Sequence, residues 1–455
     1  MNIPIELIKK YNVPAPRYTS YPTVPYWGVE TMKNNDWLKV VKRTFDESND
    51  REGLSLYIHL PYCESLCTYC ACNKRITKNH TVEDSYIDAV LREWGIYLKT
   101  FARKPQIREI HLGGGTPTFF SPENLKKLID GITSTSVLHE EHNFSFEGHP
   151  NNTTREHLQA LYDVGFKRVS YGVQDLDPKV QKTINRIQPL ENVVRATEDA
   201  REVGYTSVNF DLIYGLPFQT EDSVLDTIEK VLELKPERIA FYSYAHVPWK
   251  SPGQRAYTEA DLPDDSEKRK LYEIGKKALI GNGYIDVGMD HFALKGDDLY
   301  DAYLRKTMFR NFMGYTTAQT DLLIGLGASA ISDAKYAFAQ NEKKIESYKE
   351  IIGHDTLPLT KGHFLTNEDL VIRKFIMNIA CQGEVRWHDY PHILDFSMNI
   401  ALLTMAQEGL ISLYDNGLRV TDRGMAFLRN ICAVFDKRMA NNEPVSVNQM
   451  FSKAI

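Results

Sequence analysis

Six short strand-like runs, each followed by a helical pattern, constrain the fold of this chain more than any other feature. The runs are rich in β-branched and aromatic residues, and the segments between them repeat apolar residues at the spacing of amphipathic helices. Such alternation predicts a parallel sheet, either doubly wound or closed into a full or partial barrel. The six runs are residues 54–61, 108–114, 144–150, 168–174, 207–217 and 238–248.

Two flanking regions differ from this central domain, which we place at residues 51–350. Residues 1–50 are rich in Pro and Tyr, as in VPAPRYTSYPTVPYW, and predict an irregular arm that covers the substrate side of the central domain. Residues 360–455 predict a small, mostly helical domain with two amphipathic helices, a hairpin at Asn416-Gly417 and a further helix. This order is typical of a winged helix. No basic recognition helix stands out, so a packing or lid role is favoured over DNA recognition.

Composition and charge describe an ordinary globular enzyme. Hydrophobic residues make up 42% of the chain and charged residues 25%, and the net charge of -6 argues against broad nucleic-acid binding by charge alone. The N-terminal MNIPIELIKKYN has no signal-peptide core, and no apolar run is long enough to span a bilayer. We therefore expect a cytoplasmic protein with no membrane and no nucleic-acid partner.

Four of the six cysteines fall within ten residues, in CESLCTYCAC directly after the first strand. Four thiols at this spacing indicate a zinc site, a disulfide staple, a redox dithiol or an iron-sulfur cluster. Because cytoplasmic thiols stay reduced, a metal is favoured, and no second cysteine pair follows to complete a zinc site. Cys63, Cys67 and Cys70 suit a 4Fe-4S cluster with one iron left open. Cys381 and Cys432, in apolar helix-like surroundings, are predicted to be buried structural thiols.

These motifs resemble a known family. CxxxCxxC after the first strand, followed by GGGTPT at 113–118, resembles the radical S-adenosylmethionine (AdoMet) superfamily. Cys72, PRYTSYPT at 16–23, VGMDHFAL at 287–294 and RNFMGYTT at 310–317 resemble one branch, the oxygen-independent coproporphyrinogen III oxidases. The resemblance extends over nearly the whole chain. It implies a partial (β/α)6 TIM-like barrel of the radical AdoMet type, with the arm and the winged-helix-like domain attached, and we expect a monomer.

The resemblance also implies the cofactors, which are a 4Fe-4S cluster and two AdoMet molecules. In this superfamily the open iron binds the amino and carboxylate groups of AdoMet, and an electron from the reduced cluster yields a 5'-deoxyadenosyl radical. The glycines at 113–115 suit close approach of backbone to a ligand. By resemblance, Cys63, Cys67 and Cys70 hold the cluster, Tyr57, Gly114, Glu147 and Ile331 the first AdoMet, and Tyr69, Gly115, Thr116, Gln174, Arg186, Asp211 and Ala245 the second.

The implied substrate is coproporphyrinogen III, a macrocycle with four propionates, two of which become vinyl groups to give protoporphyrinogen IX in heme biosynthesis. Arg17, Arg310 and His291 are candidates for the positive charge that this anion needs, although the two arginines could equally pin loops to the barrel. Cys72 is expected to act beside the cluster or on the substrate. Met313 stands where the family segment is expected to carry glutamine.

The same residues leave two alternative functions open, and the enzymatic function requires two electron-transfer partners. A heme chaperone of the same superfamily branch would keep three cysteines, but it typically has an aromatic residue in place of Cys72 and lacks the PRYTSYP arm. A metal-stapled regulator could use the C-terminal domain on nucleic acid, but the acidic charge and the missing second cysteine pair count against it. The enzyme reading also requires an electron donor, such as flavodoxin, and an electron acceptor that the sequence does not name.

Overall fold

The six predicted strands form the centre of one large sheet in the computed structural model, which describes residues 3–29, 32–440 and 450–454. Each strand lies parallel to the next in sequence order, and the row of strands does not close into a ring. The predicted partial barrel is confirmed. Its strands are β1 Leu54–Leu60, β2 Gln106–Gly114, β3 Val137–Gly148, β4 Phe166–Gln174, β5 Ser207–Tyr214 and β6 Arg238–Ser243.

Helices follow these strands and cover the outer face of the sheet. Their starts carry sequence signals: Thr154 and Thr220 each accept a hydrogen bond from the backbone N–H three residues on, which satisfies a helix end. Each helix buries an apolar stripe against the sheet, so the sheet core is covered on that side. The helices are Val82–Leu98, Pro122–Thr133, Arg155–Asp163, Leu190–Val203, Glu221–Leu234 and Asp265–Gly281.

The sheet extends on both sides by short strands that the sequence pattern did not reveal. On one side, one strand lies antiparallel to β6 and a second strand lies antiparallel to that one. On the other side, one strand runs parallel to β1 and four antiparallel strands continue from it, the last of them Gly28–Val29. The sheet therefore runs past the predicted boundary at residue 350. The added elements are β7 Tyr284–Gly288, β8 His291–Leu294, the separate hairpin β9 Phe309–Asn311 and β10 Gly314–Thr316, then β11 Leu323–Leu326, β12 Ile331–Asp333, β13 Ala337–Asn341 and β14 Leu359–Phe364.

The N-terminal arm is only partly irregular. The prediction of an irregular segment over the first fifty residues is wrong for the helix Asn34–Ser48, which buries Trp37, Val41 and Phe45 in the same core as the barrel strands. These residues recur at four-residue spacing, so they form one stripe facing the sheet. The Trp37 indole N–H also donates to the Tyr97 hydroxyl at 3.1 Å. This helix therefore belongs to the barrel domain rather than to a covering arm.

Replacing Trp37 with alanine is expected to lower the free energy of unfolding by about 3–5 kcal/mol, because a fully buried aromatic side chain leaves a cavity. Trp249 provides the matched control, since it is 58% exposed. Its replacement with alanine should change stability by less than about 0.5 kcal/mol. Chemical denaturation of both variants checks the difference, and equal effects would contradict the placement of the helix.

The preceding part of the arm packs on the C-terminal domain. Tyr18 and Tyr21 are buried in the core that the C-terminal helices form. The Arg429 guanidinium donates to the main-chain carbonyls of Ala15 and Pro16, so this side chain fixes the arm to the C-terminal domain. This part of the arm is therefore held on the C-terminal domain.

The C-terminal domain has the predicted elements. The hairpin turns at Asn416, whose φ of 57° is one that Asn adopts readily, and both Cys381 and Cys432 are buried as expected. Residues 1, 2, 30, 31, 441–449 and 455 of the predicted arm and domain lie outside the described residues. In the part of the chain that is described, no helix combines the length and apolar character needed to cross a bilayer. The main elements are the helices Asn367–Gln382, Phe396–Gln407 and Leu428–Ala433, and the strands Glu384–Arg386, Ile411–Tyr414 and Gly417–Val420.

Candidate functional site

A cavity of about 650 Å³ opens at the carboxyl ends of the barrel strands, and we call it the cysteine cavity. Parallel strands bring their carboxyl ends to one edge, which is where barrel chemistry is usually built. Twelve of the predicted site residues meet there, although they are spread over a long stretch of sequence. They are Cys63, Cys67, Tyr69, Cys70, Cys72, Gly114, Gly115, Thr116, Glu147, Gln174, Arg186 and Asp211.

Residues 63–72, which carry four cysteines and which we call the cysteine loop, form one wall of this cavity. Burial raises the pKa of Cys63 to about 11, and the Thr116 hydroxyl lies 3.3 Å from its sulfur. Interaction with the Cys72 thiol lowers the pKa of Cys70 to about 6 despite burial, and Lys74 acts in the same direction. Among the described residues, no three or more His, Cys, Asp or Glu side chains are grouped to hold a single metal ion. Three thiols along one wall, beside a cavity of this volume, fit a cluster together with an organic ligand.

The glycine segment that ends β2 serves the chain itself as well as the cavity. Gly114 has a φ of 116°, and a Cβ there would lie 2.7 Å from the His59 ring. A Cβ on Gly115 would lie 2.7 Å from backbone atoms of Pro61 and Tyr62. Close approach to a ligand was the expected reason for these glycines. The contacts show that close packing against the start of the cysteine loop also requires them.

Glu147 lies one residue before the end of β3, lines the cavity and keeps its carboxylate charged. Burial acts to raise its pKa, but His111, the Gly114 N–H and His59 outweigh burial and hold the pKa below its ordinary value. The Gly114 N–H donates to Glu147 Oε2 at 3.2 Å, and His111 Nε2 lies 3.5 Å from Oε1. The carboxylate is 44% exposed, so it can still accept hydrogen bonds from a bound ligand.

Arg186 joins the end of β4 to the cysteine loop. Its guanidinium donates to the Gly172 carbonyl and lies 3.5 Å from the Cys67 sulfur, while its buried Nε has no protein partner among the described residues. A Cβ on Gly172 would lie 2.5 Å from the Gln174 amide and 2.9 Å from this guanidinium, so a larger residue there would displace both side-chain ends. The arrangement places a cation and an amide side by side at the cavity wall, where a ligand carboxylate could be bound.

Asp211, on β5, is a carboxyl group whose pKa lies close to neutral pH. Burial, with Glu147 nearby, raises its pKa to about 7. The Ser170 hydroxyl donates to Asp211 Oδ2 at 3.1 Å, and the Asn209 amide donates to Oδ1 at 2.8 Å. The two carboxyls in the cavity therefore differ, with Glu147 charged and Asp211 partly protonated at pH 7.

This difference predicts a pH-dependent stability. Because the folded pKa of Asp211 lies above its ordinary value of 3.8, the native state favours the protonated form, and its contribution to stability falls as pH rises toward 7. The melting temperature of the wild-type protein, relative to Asp211→Asn, is expected to fall between about pH 4 and 7, the ordinary and the folded pKa of this carboxyl, and then to level off. Thermal melts of the cluster-loaded protein across this range measure it. Parallel curves for the two proteins would contradict the assignment.

The other three predicted AdoMet residues do not line the cavity. The Tyr57 hydroxyl, on β1, lies 3.0 Å from His59 Nδ1, and Ile331 begins β12. The Gln254 amide donates to the carbonyl of Ala245 at 3.2 Å and to that of Tyr69 at 3.1 Å. Gln254 thereby ties these two segments together.

A smaller cavity of about 120 Å³ lies inside the barrel, and we call it the inner cavity. It shares Glu147, Ser170, Asp211 and Tyr242 with the cysteine cavity, so the two spaces adjoin. Cationic and polar side chains of the barrel strands line it, together with residues of the β9–β10 hairpin. Its other lining residues include His111, Ser145, Arg168, Ser207, Asn209, Arg238, His291, Leu299, Met313 and Tyr315.

Two of the three expected substrate cations anchor the arm. Arg17 forms an ion pair with Asp290 at 3.0 Å. Arg310 is 4% exposed; its Nε donates to the Arg17 carbonyl at 3.2 Å, and its guanidinium lies 4.7 Å from the Tyr315 ring centre. Neither arginine lines the cysteine cavity or the inner cavity. These contacts favour the alternative reading, in which the two arginines pin loops to the barrel.

His291 lines the inner cavity but does not carry charge at neutral pH. Burial, with Arg310 nearby, lowers its pKa to about 3. Its Nδ1 lies 2.8 Å from the Met289 carbonyl, which can only accept, so the Nδ1–H donates and Nε2 accepts from the Tyr242 hydroxyl at 3.3 Å. The expectation that His291 supplies positive charge is therefore corrected, because a neutral imidazole can only hydrogen bond.

Several residues of the site were missed by sequence reasoning. Tyr242 lines both cavities, and Arg168 and Arg238 line the inner cavity. All three alternate with buried apolar residues on strands that were predicted correctly, so inward-facing polar residues on barrel strands were the available signal. Gln254 lies in an irregular segment, and its contacts with distant backbone give no local sequence signal.

Comparisons with known proteins agree with this geometry. The Radical SAM superfamily model matches residues 57–231. The oxygen-independent coproporphyrinogen III oxidase of Pseudomonas aeruginosa is 36% identical over 459 residues, covering 99% of this chain and 98% of that protein. The enzyme of the same name from Escherichia coli is 35% identical over 463 residues, covering 99% and 98%.

A solved structure extends the likeness to three dimensions. Coproporphyrinogen III oxidase (HemN) from Escherichia coli, described as a radical SAM enzyme, superposes with a TM-score of 0.89 at 33% identity. The superposition covers 96% of this chain and 99% of that chain. The resemblance that the motifs indicated is therefore confirmed over the full length. This chain belongs to the family of oxygen-independent coproporphyrinogen III oxidases within the radical SAM superfamily.

Proposed function

We propose that this protein converts two propionate side chains of coproporphyrinogen III to vinyl groups, giving protoporphyrinogen IX without oxygen. The observation that carries this proposal is the cysteine cavity, in which the cysteine loop meets the predicted AdoMet residues of four different strands. The relatives that share this chain from end to end are named for that activity. The proposal therefore rests on the site and on the family together.

The cavity fits a 4Fe-4S cluster and AdoMet. Cys63, Cys67 and Cys70 would hold the cluster, with one iron left for AdoMet. When bound, the reduced cluster supplies the electron that cleaves AdoMet to methionine and a 5'-deoxyadenosyl radical. Tyr57 and Glu147 would hold this AdoMet, because the Glu147 carboxylate stays charged and partly exposed.

A second AdoMet would lie toward β4 and β5. Arg186 would bind its carboxylate, since the buried Nε of this guanidinium lacks a protein partner among the described residues. Gln174 and Asp211 lie along the same wall and would hydrogen bond its polar groups. The Tyr69 and Ala245 backbones would complete the site, held in position by Gln254.

The protein's part in the reaction is to orient one propionate and to exclude water. A hydrogen atom would pass from the propionate β-carbon to the 5'-deoxyadenosyl radical, which gives 5'-deoxyadenosine. The resulting carbon radical would lose carbon dioxide and, to an acceptor, one electron, which leaves a vinyl group. The arm would help to enclose this step, because Arg17 and Arg310 fix it beside Tyr242 at the cavity wall. Cys72 is exposed on the cavity wall and would contact the substrate side.

The partners follow from the same chemistry. The reaction needs a low-potential donor such as flavodoxin and a separate electron acceptor. Lys74 and Lys78 line the cavity and would favour an acidic donor. Six unpaired cysteines fit the reducing cytoplasm, and we expect a monomer because the barrel carries its own C-terminal cap.

The product assay separates this function from the heme chaperone. Cluster-loaded protein is incubated without oxygen with AdoMet, a reductant and coproporphyrinogen III, and the products are separated by chromatography and mass spectrometry. We expect 5'-deoxyadenosine and protoporphyrinogen IX in the same sample. 5'-Deoxyadenosine without vinyl product would show that the substrate is wrong. Stoichiometric heme binding with neither product would instead establish the chaperone.

A further inference from the structure

Arg168, on β4, is a half-buried cation that forms no ion pair with any described residue. One terminal nitrogen donates to the Ser145 hydroxyl at 3.1 Å, whereas its Nε and its other terminal nitrogen are buried and have no partner among the described residues. No described carboxylate lies within ion-pair distance of it. Burial, with Arg238 nearby, lowers the pKa of Arg168 to about 10, so the guanidinium still carries its charge at pH 7.

The neighbouring Arg238, in contrast, has a counterion of its own. Its Nε pairs with Asp297 at 2.6 Å, and Asp297 also accepts from the Ser207 hydroxyl at 2.7 Å. Arg238 is 7% exposed, and one of its terminal nitrogens is also buried without a protein partner. Two guanidinium groups thus line one cavity with three unused N–H-bearing nitrogens and one compensating carboxylate between them.

Such an arrangement is costly in a ligand-free fold. A buried charge is normally paired, and each unused buried donor loses its hydrogen bonds to water without replacement. Fixed planar donors of this kind match the two oxygens of a carboxylate. Glu147 and Asp211 line the inner cavity only where it adjoins the cysteine cavity, so the unused guanidinium donors of Arg168 and Arg238, rather than the net charge of the lining, suit an anion.

The volume of the inner cavity limits the size of the anionic group that it can bind. Its volume of about 120 Å³ equals roughly four water molecules, which accommodates a carboxylate and a short stem but no macrocycle. Leu299, Met313 and Tyr315 line it with carbon and sulfur atoms that suit a methylene stem. Because it adjoins the cysteine cavity, a ligand at the reaction centre can extend one side chain into it.

We propose that the inner cavity binds one propionate carboxylate of the substrate through Arg168, with Arg238 beside it. This inference rests on the proposed function for the source of the carboxylate. AdoMet also carries a carboxylate, so the binding of both molecules must be measured. The subsite would hold a propionate that is not reacting and thereby orient the macrocycle toward the AdoMet site.

The test compares Arg168→Met and Arg168→Lys with Arg305→Met, a control that removes an exposed arginine charge. Cluster-loaded proteins are titrated without oxygen with coproporphyrin III, the fluorescent oxidised form, and separately with AdoMet. Arg168→Met should weaken coproporphyrin III binding about ten- to a hundred-fold, with AdoMet affinity within twofold of wild type. Arg168→Lys should lie in between, because it keeps the charge and loses the fork. The control should bind both as wild type does.

Stability distinguishes a binding role from a structural one. Without ligand, Arg168→Met should melt at the wild-type temperature or above, because it removes a charge that has no ion-pair partner and two buried nitrogens that have no hydrogen-bond partner among the described residues. Wild-type affinity for coproporphyrin III in Arg168→Met, or equal losses for coproporphyrin III and AdoMet, would overturn the proposal. A lower melting temperature for both Arg168 variants with unchanged coproporphyrin III affinity in Arg168→Lys would also overturn it.

Sodium propionate separates this subsite from the proposed function. If the wild-type protein fails to decarboxylate coproporphyrinogen III, the subsite is tested by thermal melts in propionate against equal sodium chloride. Stabilisation of the wild-type protein but not of Arg168→Met would keep the carboxylate site while the proposed substrate fails. Equal behaviour of the two proteins would remove the site.

Discussion

Replacing Cys67 with alanine is expected to abolish the visible iron-sulfur absorbance, 5'-deoxyadenosine formation and vinyl product together. Cys67 lines the cysteine cavity, with the Arg186 guanidinium 3.5 Å from its sulfur. A cluster held by three protein thiolates has no spare ligand, so the loss of one removes the redox centre. The loss should be complete to the limit of detection rather than partial.

Cys381→Ala is the matched control for this variant. Cys381 is also a free thiol, but it is buried in the C-terminal domain, where burial raises its pKa to about 12. Its replacement should lower the melting temperature slightly and leave the absorbance and turnover close to wild type. A Cys67→Ala protein that retained a full cluster and formed 5'-deoxyadenosine would contradict the ligand assignment.

Replacing Glu147 with glutamine is expected to weaken AdoMet binding about ten- to a hundred-fold, since a hydrogen bond to a charged group contributes about 1.5–3 kcal/mol. The variant keeps the shape of the side chain but removes the charge that the Gly114 N–H and the neighbouring imidazoles stabilise. Equilibrium dialysis of cluster-loaded protein with labelled AdoMet measures the change. Because the cysteines are untouched, the iron-sulfur absorbance should remain.

Glu141→Gln controls for the loss of one carboxylate from the same strand. Glu141 is 74% exposed and pairs with Arg108 at the opposite end of β3. Its replacement should leave AdoMet affinity within twofold of wild type. If both variants lost affinity equally, net charge rather than the position of Glu147 would govern binding.

The fold was largely predictable where local patterns agree with tertiary contacts. The six barrel strands are runs of β-branched and aromatic residues, and their boundaries moved by only a few residues at most ends. The helix Asn34–Ser48 was missed because Trp37, Val41 and Phe45 form a narrow stripe among charged residues, next to a Pro- and Tyr-rich segment. Short strands such as Leu323–Leu326 carry too few residues to show a period.

Some features of the candidate site were predictable from the sequence, whereas others depend on the folded surroundings. Glu147 and Gln174 lie at the ends of their strands as expected, because a parallel barrel gathers those ends. Asp211 lies three residues before the end of β5 but still lines the cysteine cavity. The neutral state of His291 could not be predicted, since it depends on burial beside Arg310 from a separate hairpin. The unpaired state of Arg168 is equally invisible in sequence, because a missing counterion is a property of the folded neighbourhood.

Deuterium transfer shows whether the propionate β-hydrogen passes to the 5'-deoxyadenosyl group. Coproporphyrinogen III that carries deuterium on the propionate β-carbons is incubated without oxygen with cluster-loaded protein, AdoMet and a reductant. We expect the 5'-deoxyadenosine to gain one mass unit and vinyl product to form alongside it. Unlabelled 5'-deoxyadenosine accompanied by vinyl product would contradict this transfer, because hydrogen would then leave the substrate by another route.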